Sequence, residues 1–294
     1  MRSFLTHPRL FARKALGRIQ RQLISPPESR VAVINGTVRF EHRKLSFLNE
    51  DDYRAMLTSS YDIILCDFLE RHLVAGDVML DVGANVGYIS AVAASCVGNT
   101  GEVHSFEPLR ECFARLKFMQ QLNPAFRLFC NNFALGSEEG ALTIGFDPIG
   151  EARNATLVPG YNTPIRYKVP VKRLDAYIYD SVAHPQRIKV IKIDVEGFEF
   201  EVLKGLERFL SGARFRPLIA VEIKPWDLAK IGHNMADFED YMQTYGYGAY
   251  DMVDEGRRID LRAMTEMEVV LFRAYEVASV QSSNETRPGL PRRP

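Results

Sequence analysis

The sequence predicts an α/β protein of the doubly wound class, with a Rossmann-like, mostly parallel sheet. Two observations carry this. From Asp77 onward, strand-length apolar runs alternate with helix-length amphipathic stretches, and strands separated by helices pair in parallel. The first of these strands runs into a glycine-rich turn, Asp81-Val-Gly83-Ala84-Asn85-Val-Gly87, at the carboxyl edge where such sheets receive ligands. Composition agrees: 46% hydrophobic and 25% charged residues are enough for a core and exclude wholesale disorder.

Residues 1–30 form a basic amphipathic segment. Phe11, Ala15, Ile19 and Leu23 recur every fourth position among Arg9, Arg13, Lys14, Arg18 and Arg21, a helical pattern. Three readings fit it: a helix docked on the domain, a helix lying on an anionic membrane, or a transit peptide. Ser25-Pro26-Pro27 ends it, because proline cannot continue a helix. A single domain with this N-terminal extension is expected over 31–278. Val31–Ile34 and Thr37–Phe40 read as a hairpin about Asn35-Gly36, which supply the positive φ angles of a tight turn. A helix is expected over 59–73, then strand 78–82, helix 87–95, strand 102–106, helix 110–122 and strand 126–130. An inserted β pair follows at 141–146 and 167–171. Strand 188–193, helix 198–210, strand 217–223, helix 237–245 and strand 269–273 complete the domain. Residues 279–294, polar and proline-rich, read as a disordered tail.

Thirty-seven basic and 37 acidic residues give a formal charge of zero, so nothing points to nucleic acid as a partner. That zero hides an asymmetry. Residues 1–44 carry a net charge of +8 and residues 279–294 carry +2, which leaves −10 on the body between them. Phosphate-rich surfaces would therefore meet the ends of the chain. The apolar runs are shorter than the roughly 20 residues that span a bilayer. The four cysteines, Cys66, Cys96, Cys112 and Cys130, form no C-x-x-C pair. A cytoplasmic protein is expected, with peripheral membrane contact through residues 1–24 as one option.

The turn after the first strand places Asn85 where a dinucleotide fingerprint has its second glycine, and Asp81 two residues before Gly83. A carboxylate there repels a pyrophosphate and suits a cationic ligand end, which favours S-adenosyl-L-methionine. Glu107, at the end of the next strand, suits two ribose hydroxyls. The amides after the third strand, Asn131 and Asn132, can meet an adenine amino group. The fourth strand reads Ile191-Lys192-Ile193-Asp194-Val195-Glu196. Its charged residues alternate with apolar ones and share a side, and Lys192 inside such a strand needs Asp194 or Glu196 as a partner. Glu222 brings another acid to the same edge.

Taken together, DVGANVGYIS (81–90), FEP (106–108), the stretch around Asn132-Phe-Ala-Leu-Gly136, LDAYI (174–178) and IKIDVEGFEFEVLKG (191–205) resemble the FkbM family of S-adenosylmethionine-dependent methyltransferases. The resemblance covers about Asp77 to Ala274. It implies a class I methyltransferase fold with a seven-stranded sheet, and methyl transfer to a hydroxyl of a sugar, glycan or polyketide-like acceptor. It places Asp81, Gly83, Ala84, Asn85, Gly87, Glu107 and Asn132 against the cofactor. The N-terminal extension and the tail lie outside it.

Methyl transfer to oxygen needs an aligned hydroxyl and a base for its proton. Asp194 and Glu196 are the first candidates, with Lys192 as their partner, then Glu222; His233 on a following loop is another. The three acids could instead hold a divalent cation, although no metal site is assigned. Two other functions fit the sheet: a nicotinamide-dependent sugar-modifying enzyme, and a non-catalytic methyltransferase-like binding protein. Acceptor recognition is expected from segments 147–170 and 224–236, the latter with Trp226.

Overall fold

A computed structural model describes residues 8–23, 26–46, 48–147, 155–212 and 215–275. Helix α1 (Pro8–Leu23), the hairpin β1 (Ser29–Ile34) and β2 (Val38–Arg43), and helices α2 (Glu50–Leu57) and α3 (Ile63–His72) precede the sheet. Then come β3 (Val78–Val82), α4 (Tyr88–Val97), β4 (Glu102–Phe106), α5 (Arg110–Leu122) and β5 (Arg127–Asn131). Short β6 (Ala134–Leu135), β7 (Gly140–Phe146) and β8 (Ile165–Lys172) form a side sheet, and α6 (Leu174–Ser181) leads back to β9 (Ile188–Ile193). The chain ends with α7 (Glu199–Lys204), α8 (Glu207–Gly212), β10 (Leu218–Ile223), α9 (Pro225–Lys230), α10 (Met235–Thr244), β11 (Tyr247–Asp251) and β12 (Glu268–Ala274).

The main sheet has seven strands in the order β11-β12-β10-β9-β3-β4-β5. β12 runs antiparallel to both its neighbours, while β10, β9, β3, β4 and β5 pair in parallel. The order reverses between β3 and β9, so the crevice outside their carboxyl ends is the topological switch point. β3 and β4 are buried along their whole length, as a strand covered on both faces must be. One such cover is α4, in which eight of ten residues are buried. It is apolar on every side because the sheet lies beneath it and the hairpin and α3 lie over it.

The expected doubly wound sheet, hairpin and β insertion are all present. Asn35 and Gly36 turn the hairpin at φ 47° and 74°. The insertion gains β6, which pairs with β8 in parallel. Four expectations need correction. The helix expected over 198–210 is two helices broken at Gly205, where an added Cβ would lie 2.1 Å from the Gly136 carbonyl oxygen. The helix expected from residue 59 starts at Ile63, after a left-handed Asp62 that caps it. Residues 225–230, read as loop, form α9 because Pro225 takes the first-turn position that lacks a donor. β11 went unread because Tyr-Gly-Ala-Tyr-Asp has no β-branched residue. The tail lies outside the described residues.

Gly83 has φ +78°, and an added Cβ would sit 1.8 Å from the Asp194 carbonyl oxygen. A side chain here forces β3 and β9 apart at the switch point. Gly83→Ala is expected to cost roughly 2 kcal/mol or more, as a combined left-handed-strain and clash penalty, read as a lower urea midpoint. An unchanged midpoint would contradict this packing.

Candidate active site

The site is built where β3 and β9 end side by side. Asp194 donates its backbone N–H to the Val82 carbonyl at 3.1 Å, extending the ladder one residue past β9. Lys192, on β9, is buried and donates to the Gly83 carbonyl at 2.7 Å. Its ammonium lies 3.4 Å from Asp81 and 3.5 Å from Asp194. Burial opposes the lysine charge, but Asp194 and Asp81 outweigh it and hold its pKa above the ordinary value. Asp81 is wholly buried, with one carboxylate oxygen accepting from Ser90 Oγ at 2.5 Å. Its other oxygen has no hydrogen bond and faces Lys192 alone.

A cavity opens above this pair. The turn residues Gly83, Ala84 and Asn85 line it, with Glu107 from the end of β4 and Asp194 and Glu196 after β9. Phe133, Ile144 and Leu157 supply an apolar wall. Glu107 is held rigidly: its oxygens accept the backbone N–H groups of Asn85 at 2.8 Å and Leu109 at 2.7 Å. Burial pushes its pKa up to about 7 against those two bonds. Asn85 takes a left-handed φ of 49°, a conformation asparagine tolerates, which aims its N–H at Glu107. Lys192 is the only cationic side chain among the described lining residues, against Asp62, Glu107, Asp194 and Glu196.

The edge beyond Asp194 carries a carboxylate cluster. Asp194, Glu196 and Glu222 bring one oxygen each within 4.8 Å of one another. Lys224, two residues after Glu222, ion-pairs with Glu196 and lies 3.3 Å from Glu222. Burial raises Glu196 to about 8 and Glu222 to about 7, Asp194 adds repulsion, and Lys224 offsets part of it. Glu196 sits at φ 58°, an uncommon conformation for a long side chain and one that costs energy. Thr156 Oγ1 holds the Glu196 carbonyl at 2.6 Å.

Of the residues expected against a ligand, Gly83, Ala84, Asn85, Glu107, Lys192, Asp194 and Glu196 line the cavity. Three do not. Asp81 lies beneath the floor on Ser90 and Lys192, and so supports the site through the lysine. Gly87 caps α4 at φ +89°, with Leu116 against it. Asn132 spends its amide on the carbonyls of Glu107 and Pro108 at 2.8 and 3.2 Å, so it shapes the Glu107 turn. Glu222 belongs to the cluster without lining the cavity. Lys192 reaches Asp194, as expected, but Glu196 takes Lys224. His233 packs on Phe200 and hydrogen-bonds Glu201 at 3.2 Å, away from the lining. Gly83 also packs against the Asp194 carbonyl, which leaves no room for a side chain there. Sequence reasoning missed Lys224, although Glu222-Ile-Lys224 has the alternation that puts both on one side. It also missed Tyr61 and Asp62, which reach the cavity from the turn before α3 and carry no local signal.

The strand order, with the single reversed strand at one side, and the ligand cavity at the β3/β9 switch point define the class I methyltransferase fold. The chain belongs to the methyltransferase FkbM domain family, which it matches over residues 81–248, more than half of its length. It is 29% identical over 160 residues to the hexuronic acid methyltransferase AglP of Haloferax volcanii, covering 53% of this chain and 61% of that protein. It is 25% identical over 146 residues to Methyltransferase 1 of Beauveria bassiana, covering 44% of this chain and 58% of that protein. The chain thus spans less than two thirds of these relatives. A solved structure of methyltransferase FkbM from Methylobacillus flagellatus superposes with a TM-score of 0.42 at 15% identity, covering 77% of this chain and 56% of that one.

Two outcomes follow from the buried charges. Lys192→Met leaves Asp81 buried without its cation and is expected to lower unfolding free energy by roughly 3 kcal/mol or more, read by urea denaturation. Stability should also depend on pH. Burial raises Glu107 and Glu199 to about 7 in the folded state, from an ordinary 4.5. Between those values the folded protein keeps protons that the unfolded chain has released, so raising the pH favours unfolding. The melting temperature is therefore expected to fall from pH 5 to pH 8, and Glu199→Gln should shrink that fall. A rise over this range would refute the assignment.

Proposed function

We propose that the protein transfers a methyl group from S-adenosyl-L-methionine to a hydroxyl oxygen of a sugar or sugar-like acceptor. The observation that carries this reading is the charge of the cavity: four carboxylates and one ammonium line it. Such a lining attracts a ligand bearing sulfonium and ammonium groups and repels the pyrophosphate of a dinucleotide. This counts against the nicotinamide reading. Each Glu107 oxygen keeps a lone pair beyond its backbone bond, so the carboxylate can accept from ribose hydroxyls. The apolar wall of Phe133, Ile144 and Leu157 suits an adenine ring.

When bound, the cofactor supplies an electrophilic methyl group on a good leaving group. The residues of this chain have two tasks: to orient the acceptor hydroxyl and to take its proton. Asp194 lines the cavity with its side chain 36% exposed, beside Lys192. Glu196 lies next to it, its proton affinity set near neutrality by burial, Asp194 and Lys224. A base with a pKa near the working pH is the efficient one. Glu196 is thus placed to take the proton, with Asp194 beside it to orient the hydroxyl and with Glu222 and Lys224 setting its affinity.

A sugar-like acceptor is supported by a polar cleft that shares Tyr61 and Asp62 with the cavity. Arg18 and Arg21 of α1 line it together with Glu50, Asp51, Asp52 and Arg54 of α2, a donor and acceptor set suited to hydroxyl and carboxylate groups. The match to a hexuronic acid methyltransferase agrees with an acidic sugar.

The test is transfer of a labelled methyl group to a panel of uronic acid and neutral sugar glycosides, after calorimetry has shown S-adenosylhomocysteine binding. Asp194→Asn and Glu196→Gln are each expected to lower kcat by about 10²-fold with cofactor affinity retained. The wild-type rate should rise with pH through a midpoint near 8, as Glu196 loses its proton. Binding of NAD in place of S-adenosylhomocysteine, or full turnover by both variants, would overturn the reading.

A further inference from the structure

The geometry points to α1 as a docking surface for an anionic membrane, because the helix is seated with its apolar face outward. Its inner face is formed by Leu10, Arg13, Gly17 and Arg21. Leu10 is buried with Ile63 and Val253. Arg13 pairs with Glu70 of α3 at 2.9 Å. Gly17 lies so close to Ser60 that an added Cβ would be 2.4 Å from the serine Cβ. Arg21 donates to Ser60 Oγ at 2.6 Å. These positions recur at three and four residues, as one helix face does. Small and polar contacts thus hold the helix to the domain.

The opposite face is the apolar one. Leu16, Ile19 and Leu23 are 56%, 56% and 81% exposed. With Ala12 they fall within about 60° of one another at helical spacing. A folded domain gains by burying such residues, at about 25 cal/mol per Å², and an outward apolar ridge marks an interaction surface. Exposed Arg9 borders the ridge, exposed Arg18 lies farther round the helix, and the helix contains no acid. An apolar ridge in a basic frame is the pattern of a helix lying in the headgroup region of an anionic bilayer.

A second copy of the chain is the other occupant to weigh. An isologous pairing through this face would bring together two acid-free helices, each with Arg9 beside the ridge and Arg18 farther round, and like charges so placed repel. An anionic lipid surface neutralises them. No helix among the described residues is long and apolar enough to cross a membrane, so the contact is at the surface.

The experiment is sedimentation of the full chain with vesicles of phosphatidylcholine alone or mixed with phosphatidylglycerol. Binding is expected to the mixed vesicles only, and to weaken as salt is raised. The variant Leu16→Ser/Ile19→Ser/Leu23→Ser touches neither the core nor the cavity and should fold normally by circular dichroism. Its partition is expected to fall by about tenfold or more, with S-adenosylhomocysteine binding unchanged. Equal binding by variant and wild type, binding to neutral vesicles alone, or no binding by the wild type would overturn the proposal. So would a wild-type dimer in sedimentation velocity that the variant abolishes, since the ridge would then be a subunit interface.

Discussion

The buried ammonium of Lys192 holds together everything at the switch point. It joins two strands that are neighbours in space and 109 residues apart in sequence, through the Gly83 carbonyl. It also neutralises Asp81, whose second oxygen has no hydrogen-bond donor. The approach of β3 and β9 leaves no room for a side chain at residue 83, so the turn must open with glycine. That turn then presents the Asn85 N–H to Glu107. One desolvated charge thus fixes the floor of the cavity, the course of the turn above it and the orientation of the acid on the next strand. Removing one member of such a set costs more than the pair contributes, because the other is left charged in a low-dielectric interior.

Above the floor, electrostatics divides the carboxylates by task. Glu107 and Glu199 are fixed by two backbone donors each, which suits groups that shape turns or hold a ligand. Asp194 and Glu196 are less confined by backbone and face one another across the edge of the sheet, with Lys224 supplying the positive charge that the cluster draws. Burial and crowding raise Glu196 and Glu222 toward neutrality.

The charge asymmetry of the chain acquires a location in α1. The helix carries arginines on several faces: Arg13 and Arg21 reach Glu70 and Ser60, Arg18 lines the polar cleft, and Arg9 is exposed beside the ridge. Amphipathic periodicity is the same whichever face docks, so the sequence left the docked and membrane-lying readings side by side. Gly17 seats the helix on Ser60 while Leu16, Ile19 and Leu23 stay exposed.

The doubly wound sheet, the hairpin turned by Asn35-Gly36 and the acids at the strand ends were all legible in the linear pattern. These follow from local periodicity and from residues whose chemistry is local: glycine where φ is positive, alternating apolar runs where both faces are covered. It also placed Glu107, Asp194 and Glu196 at the carboxyl edge, because strand ends are countable. What only the tertiary structure decided is how those acids are partnered. Asp81 and Asn132 carry side chains that could reach a ligand, yet Lys192 and two backbone carbonyls claim them. Lys224 joined the site because β10 lies beside β9, and Tyr61 and Asp62 because α3 packs against α4 and β9. Such pairings are set by competition among groups distant in sequence for the few donors in a buried space, and a linear pattern contains no term for that competition.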